Sequence, residues 1–175
     1  HSFLFQDRRE TKNLFDSTRS KINKDMTELE FYRLINPVVV NLKCGHTNLY
    51  ISEALEEYRN NNARFFPLKI TLNNDKLYFL EGDEETKISR GSEISSINGR
   101  NSEEIINIIR NNISSDDGNI HKRNFIISRH FNQKYYDFVD DSDEFNVEYY
   151  DQNNQLRKTQ LSAAKRNEFN FNAWN

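Results

Sequence analysis

The 175-residue sequence is long enough for one ordinary domain or two small ones, and its 35% hydrophobic and 13% aromatic residues can form a folded core despite a mean hydropathy of -0.91. The net charge of -3 weighs against nucleic acid as the main partner. The single cysteine excludes an internal disulfide framework and a cysteine zinc cluster, and no apolar run approaches the ~20 residues that span a bilayer. Because the chain begins at His1 without an initiator methionine, we expect it to be a fragment.

The first 63 residues are predicted to form a helical N-terminal region. Thr27 and Glu30 have the spacing of a capping box, and the residues after them repeat with a helical period. The apolar positions of this helix are Phe31, Leu34, Ile35, Val38, Val39 and Leu42. Pro37 is expected to kink the helix or loosen its last turn, and Gly45 is expected to end it. A shorter helix is predicted from Ser52 to Arg59.

From residue 64 onwards the pattern changes to alternating strands and turns. The predicted elements are strands over 68–72, 76–80 and 93–97, a turn at Asn98-Gly99, a helix capped by Ser102, a helix over 120–136, and a hairpin formed by 145–150 and 155–161. The acidic segments 81–85 and 137–144 are predicted loops. This order of helices and strands predicts an α+β fold.

A run of ten residues from Arg90 to Gly99 resembles the buried strand and tight turn of PDZ-like domains in bacterial peptidases, whose pattern is Gly-Asp-x-Ile-x-x-Ile-Asn-Gly. The matching positions are Gly91, Ile94, Ile97, Asn98 and Gly99, and Ser92 stands where aspartate is usual. The resemblance implies a helical bundle segment over 1–63, a PDZ-like small β-barrel or sandwich with one or two helices over 64–162, and a tail or linker over 163–175. A generic hairpin in another α+β domain is the alternative.

A second stretch narrows the resemblance to one peptidase family. The helix from Glu30 to Leu42 and the Cys44-Gly45-His46-Thr47 turn are similar to the helix and Asp-Gly-His-Thr turn of C-terminal-processing (tail-specific) serine peptidases, in the branch with a tricorn-like Ser/His/Glu site. Phe66-Pro67-Leu68 and the segment from Ser115 to Asn119 also resemble this branch. The resemblance covers roughly residues 1–162, and Cys44 replaces the usual aspartate.

The resemblance implies a role for His46 as the general base that activates a serine on a later, missing catalytic domain. Histidine is suited to proton transfer near neutrality. The chain would then be the regulatory and substrate-recruiting part of a serine endopeptidase, inactive alone, with a peptide or unfolded protein as substrate. The family implies export to the periplasm or cell surface of a bacterium. In the alternative, His46 only closes the helix and the chain is a non-enzymatic PDZ-like peptide-binding or scaffold module.

The PDZ resemblance also predicts where a peptide would bind. PDZ domains add the peptide as a strand beside an edge strand and a helix, here expected to be 68–72 and 103–112. The predicted groove is lined by Arg64, Phe66, Leu68, Ile70, Ile105, Ile106 and Ile109. The loop before the first strand has no glycine and Pro67 removes a donor, so we expect strand pairing and apolar contacts, with Arg64 as a charge partner, rather than carboxylate capture. A spacer or lid without peptide binding is the alternative.

Other motifs do not predict a second site. Ser162 and Lys165 have Ser-x-x-Lys spacing, but without companion motifs we interpret this as chance. No metal site is predicted from His46, His121 and His130, because no short spacing joins them to each other or to carboxylates. The 116–119 segment lacks the alternating ligands of a calcium loop. We predict no cofactor, no metal and no nucleic-acid partner.

Overall fold

The computed structural model describes residues 8–82 and 86–169, and the predictions for 1–7, 83–85 and 170–175 lie outside these residues. The predicted α+β class is confirmed: three helices precede a small β region that also contains two helices. The helices are α1 (Arg8–Arg19), α2 (Glu28–Val40), α3 (Glu53–Asn61), α4 (Ser102–Arg110) and α5 (Ile120–Phe138). The strands are β1 (Arg64–Phe65), β2 (Lys69–Asn73), β3 (Lys76–Glu81), β4 (Glu93–Ile97), β5 (Arg100–Asn101), β6 (Glu144–Tyr150), β7 (Leu156–Ser162) and β8 (Ala164–Lys165).

Helix α2 begins as predicted and ends earlier than predicted. In its capping box, the Glu30 backbone N–H donates to Thr27 Oγ1 at 3.2 Å and the Thr27 N–H donates to Glu30 Oε2 at 2.7 Å. The helix continues through Pro37 to Val40. The prediction that Gly45 ends it is wrong, because the helix ends at Val40 with Asn41 as its cap, and Lys43 then takes a left-handed φ of 52°.

The β region is an open antiparallel sheet. Its strand order is β2-β3-β4-β6-β7, with β5 paired to β4, so β2 and β7 form the two edges among the described residues. The sheet does not close into a barrel within the described part of the chain. A separate pair, β1 and β8, joins the start of the β region to its end.

The turn after β4 is formed as the sequence predicts, and the helix cap after it is not. Asn98 and Gly99 have φ values of 50° and 74°, the positive angles that a tight hairpin turn needs. The cap of α4 is Asn101, whose Oδ1 accepts from the Glu104 N–H at 2.8 Å. Ser102 is the first helical residue instead, and its hydroxyl donates to the Ile94 carbonyl, which ties α4 to β4.

Helices α4 and α5 supply the apolar side chains that cover the sheet. The apolar side chains in this core are Ile105, Ile106 and Ile109 from α4, Ile113 just after α4, and Ile127, Phe131 and Tyr135 from α5. The sheet contributes Ile70, Leu77, Phe79, Ile94, Ile97, Phe145, Val147 and Tyr149 to the same core. Ala163, the first residue of the segment predicted as a tail or linker, is buried in this core too.

The N-terminal helices are joined to the β region at the C-terminal end of α5. Arg33 of α2 donates to the carbonyls of Tyr136 and Asp137 at 2.6 and 2.9 Å, which satisfies acceptors that a helix end leaves unpaired. Arg59 of α3 forms an ion pair with the Asp137 carboxylate at 3.2 Å. The Asp137 side chain is 2% exposed, so this ion pair is almost completely removed from water. The two parts therefore share a polar, buried junction.

Candidate functional site

His46 is exposed on a tight turn that follows α2. The turn is closed by a hydrogen bond from the Thr47 N–H to the Cys44 carbonyl at 3.2 Å. An exposed imidazole on a short, closed turn is accessible to a group that approaches from outside this chain. This arrangement fits the predicted general base, which needs access to a nucleophile within hydrogen-bonding reach.

The same turn directs hydrogen-bond donors towards the side chain of Cys44. The Thr47 hydroxyl and the His46 backbone N–H lower the pKa of the Cys44 thiol below its ordinary value, and the nearby Asp116 carboxylate opposes them. The turn thus favours negative charge at position 44. This is the position where the peptidases that the sequence resembles have aspartate.

The loop between α4 and α5 contacts the His46 turn through two hydrogen bonds. Gly45 N–H donates to Asp116 Oδ1 at 2.7 Å, and the Ser114 hydroxyl donates to the Thr47 carbonyl at 2.9 Å. The sequence of the 115–119 segment resembles the peptidase family but does not indicate a role for Asp116. No local sequence signal joins positions 45 and 116, because they meet only through the fold.

A cleft of about 410 Å³ lies beside the turn, between α2, α3 and α5. Gly45 and Asn48 line one side of it, and Arg59, Lys134 and Asp137 line another. Three charged side chains of the cleft pair with one another, since Asp137 binds Arg59 at 3.2 Å and Lys134 at 3.5 Å. Burial of Tyr32 at the cleft raises the pKa of its phenol to about 12, so it stays protonated at neutral pH.

The side chains predicted to line the peptide groove are brought together, but inside the core. Six of them are at most 1% exposed: Phe66, Leu68, Ile70, Ile105, Ile106 and Ile109. The seventh, Arg64, is exposed on β1, where its Nε donates to the Ala163 carbonyl at 3.0 Å. A peptide could reach the six buried side chains only if the helices moved away from the sheet.

Helix α5, rather than α4, lies along the edge strand β2. The Leu72 N–H donates to Ser128 Oγ at 3.0 Å, and Asn132 Nδ2 donates to the carbonyls of Phe66 and Leu68, the latter at 2.8 Å. These polar side chains occupy backbone groups that an added strand would use. No sequence motif indicates a role for Ser128 and Asn132. Their i, i+4 spacing puts them on one face of α5, but it does not indicate which strand they contact.

The other motifs do not form sites in the described part of the chain. Ser162 ends β7 and Lys165 lies in β8, so they are not one helical turn apart, as the Ser-x-x-Lys motif requires. His121 and His130 both lie on α5, and burial lowers the pKa of His130. Residues 8–82 and 86–169 contain no cluster of three or more metal-ligating side chains. None of the helices described there has the length and apolar character to cross a membrane.

The fold is similar to solved structures of CPAF, a chlamydial serine protease. Mature CPAF complexed with lactacystin superposes with a TM-score of 0.59 at 12% identity, over 92% of this chain and 30% of that chain. Mature CPAF alone gives 0.57 at 11% identity, over 92% and 29%, and the CPAF S499A mutant gives 0.56 at 10% identity, over 87% and 28%. The chain therefore spans less than a third of the length of these proteins. No protein-family model and no curated protein matches this sequence.

At such low identity the similarity shows a fold related to part of a serine protease and does not define the branch of the family. The α+β arrangement of N-terminal helices and a small β region is thus one that occurs inside a protease. The tricorn-like branch, the PDZ-like nature of the β region and the role of His46 stay predictions.

Proposed function

We propose that this chain is the N-terminal regulatory and substrate-recruiting part of a serine endopeptidase of the tail-specific kind, and that it supplies His46 as the general base. The observation that carries the proposal is the structural similarity to CPAF, which covers 92% of this chain but 30% of that protease. The exposed position of His46 on its turn supports the proposed role, because a base that serves a nucleophile on another domain must be reachable.

In the proposed reaction, the His46 imidazole takes the proton of a serine hydroxyl as the serine attacks the peptide carbonyl, and later gives that proton to the leaving amine. The serine belongs to a further domain, and the substrate is a peptide or an unfolded protein. The chain alone is then inactive. We further propose that the protein acts in the periplasm or at the cell surface of a bacterium, as the family resemblance implies.

The test compares histidine variants in the complete protein that contains this chain. His46→Ala should lower kcat by about 10²-fold or more, the typical contribution of a general base, with the folded state unchanged by circular dichroism. His121→Ala, which removes another exposed histidine from the start of α5, is the matched control and should leave turnover unchanged. Wild-type turnover by His46→Ala would refute the proposal.

A second measurement concerns the chain alone. The purified 175-residue protein should not cleave unfolded protein substrates, since it lacks the proposed serine domain. Measurable cleavage by the pure chain would contradict the proposed division of the active site. A complete protein without any turnover would instead support the non-enzymatic PDZ-like module.

A further inference from the structure

We propose that Asp116 is a positioning residue for the proposed reaction: its carboxylate fixes the backbone of the turn that carries His46. The inference rests on the proposed function, because a fixed turn matters for catalysis only if His46 is the base. It assigns a role to a residue that lies 70 positions from His46 in the sequence and belongs to the loop between α4 and α5.

The central contact is the hydrogen bond from the Gly45 N–H to Asp116 Oδ1, at 2.7 Å. A carboxylate acceptor makes such a bond shorter and stronger than a bond between neutral groups. Gly45 directly precedes His46, so the bond restrains the backbone on which the imidazole is mounted. Small displacements of a catalytic group lower the rate strongly, because the reacting atoms must approach in a narrow range of geometries.

Two further hydrogen bonds from the same loop bracket His46. The Asp117 N–H donates to the Lys43 carbonyl at 3.3 Å, and the Ser114 hydroxyl donates to the Thr47 carbonyl at 2.9 Å. The loop thus contacts the turn before His46 and after it. A turn held at both ends and at Gly45 has a restrained backbone, from which the imidazole extends.

The loop itself is anchored to the core of the β region. Ser115 is fully buried, and its Oγ accepts from Arg123 Nε at 2.9 Å. Ile113 is part of the main apolar core, and Asn119 caps α5 by accepting from the Lys122 N–H at 3.1 Å. Because the loop is anchored in this way, the Asp116 side chain links the exposed turn to the well-packed core.

Gly45 is adapted to this contact by its size. A Cβ atom at position 45 would lie 2.9 Å from Asp116 Oδ2 and 3.0 Å from its Cγ, which is closer than real Cβ contacts. Gly45 does not have the left-handed φ that would require glycine for conformational reasons. A larger residue at position 45 would therefore have to displace the Asp116 carboxylate from the backbone.

The first experiment measures kinetics in the complete protein. Asp116→Ala should lower kcat about tenfold to a hundredfold with KM little changed, because it displaces the base and leaves the substrate contacts in place. Asp116→Asn keeps an amide oxygen that can accept from Gly45 and should restore most of the rate. Asp143→Asn removes an exposed carboxylate from the segment before β6 instead, and is the control with wild-type kinetics.

The second experiment is a double-mutant cycle with Gly45→Ala. The added methyl group should push the carboxylate away and reproduce the loss of kcat seen in Asp116→Ala. In the double variant the clash and the hydrogen bond are both absent, so the loss should be no larger than in either single variant. Losses that multiply would show that the two positions act independently and would overturn the proposal.

The third experiment measures the hydrogen bond between Gly45 and Asp116 directly, and it separates the positioning role of Asp116 from the proposed function. In the 175-residue chain, the Gly45 amide should exchange its hydrogen about tenfold or more faster in Asp116→Ala than in wild type. Unchanged exchange, or unchanged kcat in Asp116→Ala while His46→Ala is impaired, would overturn the positioning role alone. Full activity of His46→Ala would overturn the proposed function. The exchange data could then still detect the hydrogen bond between Gly45 and Asp116, but that bond would have no role in catalysis.

Discussion

The two regions to which the sequence assigns function differ in how the fold exposes them. His46 lies on an exposed turn outside the core, whereas the six apolar side chains predicted to line a peptide groove are at most 1% exposed. Ser128 and Asn132 of α5 also cover β2 and the segment that directly precedes it. Helix α5, which lies within the 64–162 region, thus covers the place where a peptide groove was predicted. Variants of α5 and of the residues that hold it in place therefore test whether α5 closes this edge of the sheet.

The largest effect on stability is expected for Asp137→Ala. Asp137 is 2% exposed and holds the end of α5 through ion pairs with Arg59 at 3.2 Å and Lys134 at 3.5 Å. Removal of one partner leaves Arg59, 12% exposed, as a poorly compensated cation, which should cost about 3 kcal/mol of unfolding free energy. Urea unfolding measures this loss of unfolding free energy.

The control for this variant is Asp141→Ala, which removes a carboxylate that is 48% exposed and pairs with Arg33 at 3.3 Å. It should change the unfolding free energy by less than ~1 kcal/mol. Equal losses in both variants would contradict the buried junction at the end of α5.

Asn132→Ala should have the next largest effect. It removes the donor to the Phe66 and Leu68 carbonyls and leaves buried acceptors unpaired, at a cost of about 2 kcal/mol in unfolding free energy. Asn107→Ala on the exposed face of α4 is the matched control, with a change of only a few tenths of a kcal/mol.

The same variant bears on the comparison of the two regions. If α5 is what closes the edge of β2, Asn132→Ala should speed the hydrogen exchange of the β2 amides and leave the Gly45 amide unaffected. Peptide binding to wild type through β2, seen as chemical-shift changes in β2 without displacement of α5, would contradict the covered edge.

The sequence was sufficient for the parts of the fold that local chemistry determines. The capping box of Thr27 and Glu30 and the Asn98-Gly99 turn follow from interactions within a few residues, and the structure contains both. The end of α2 was predicted wrongly because glycine is the usual stop, while Lys43 here takes the left-handed conformation. Such exceptions depend on what the following residues contact.

The contacts that define the candidate site could not be predicted in the same way. Gly45 and Asp116, and Leu72 and Ser128, are joined only after the chain has folded, and neither pair has a characteristic spacing. The apolar pattern identified Ile105, Ile106 and Ile109 as one face of a helix, but that pattern is the same for a core and for a groove. Only the position of α5 distinguishes the two.

The smallest expected effect is a pH-dependent change in stability at the Asn98-Gly99 turn, which was predicted correctly. Asp140 accepts from Asn98 Nδ2 at 2.7 Å and from the Ser142 hydroxyl at 2.6 Å. Burial raises the pKa of Asp140, but the hydrogen bonds from Ser142 and Asn98 outweigh it and hold the pKa below its ordinary value. The unfolded state therefore binds this proton more readily, and the ionised carboxylate stabilises the fold above the unfolded pKa of about 4.

This stabilisation should disappear as the pH falls through the lowered folded-state pKa of Asp140. Asp140→Asn should be less stable than wild type at pH 7, by under ~1 kcal/mol for a partly exposed group, and the difference should shrink below pH 4. Asp143→Asn removes an exposed carboxylate three residues away and should follow the wild-type pH profile, as measured by urea unfolding from pH 2 to 7. A difference for Asp140→Asn that widens in acid would show that the Asn98-Gly99 turn does not depend on this carboxylate, and that local turn chemistry alone holds it.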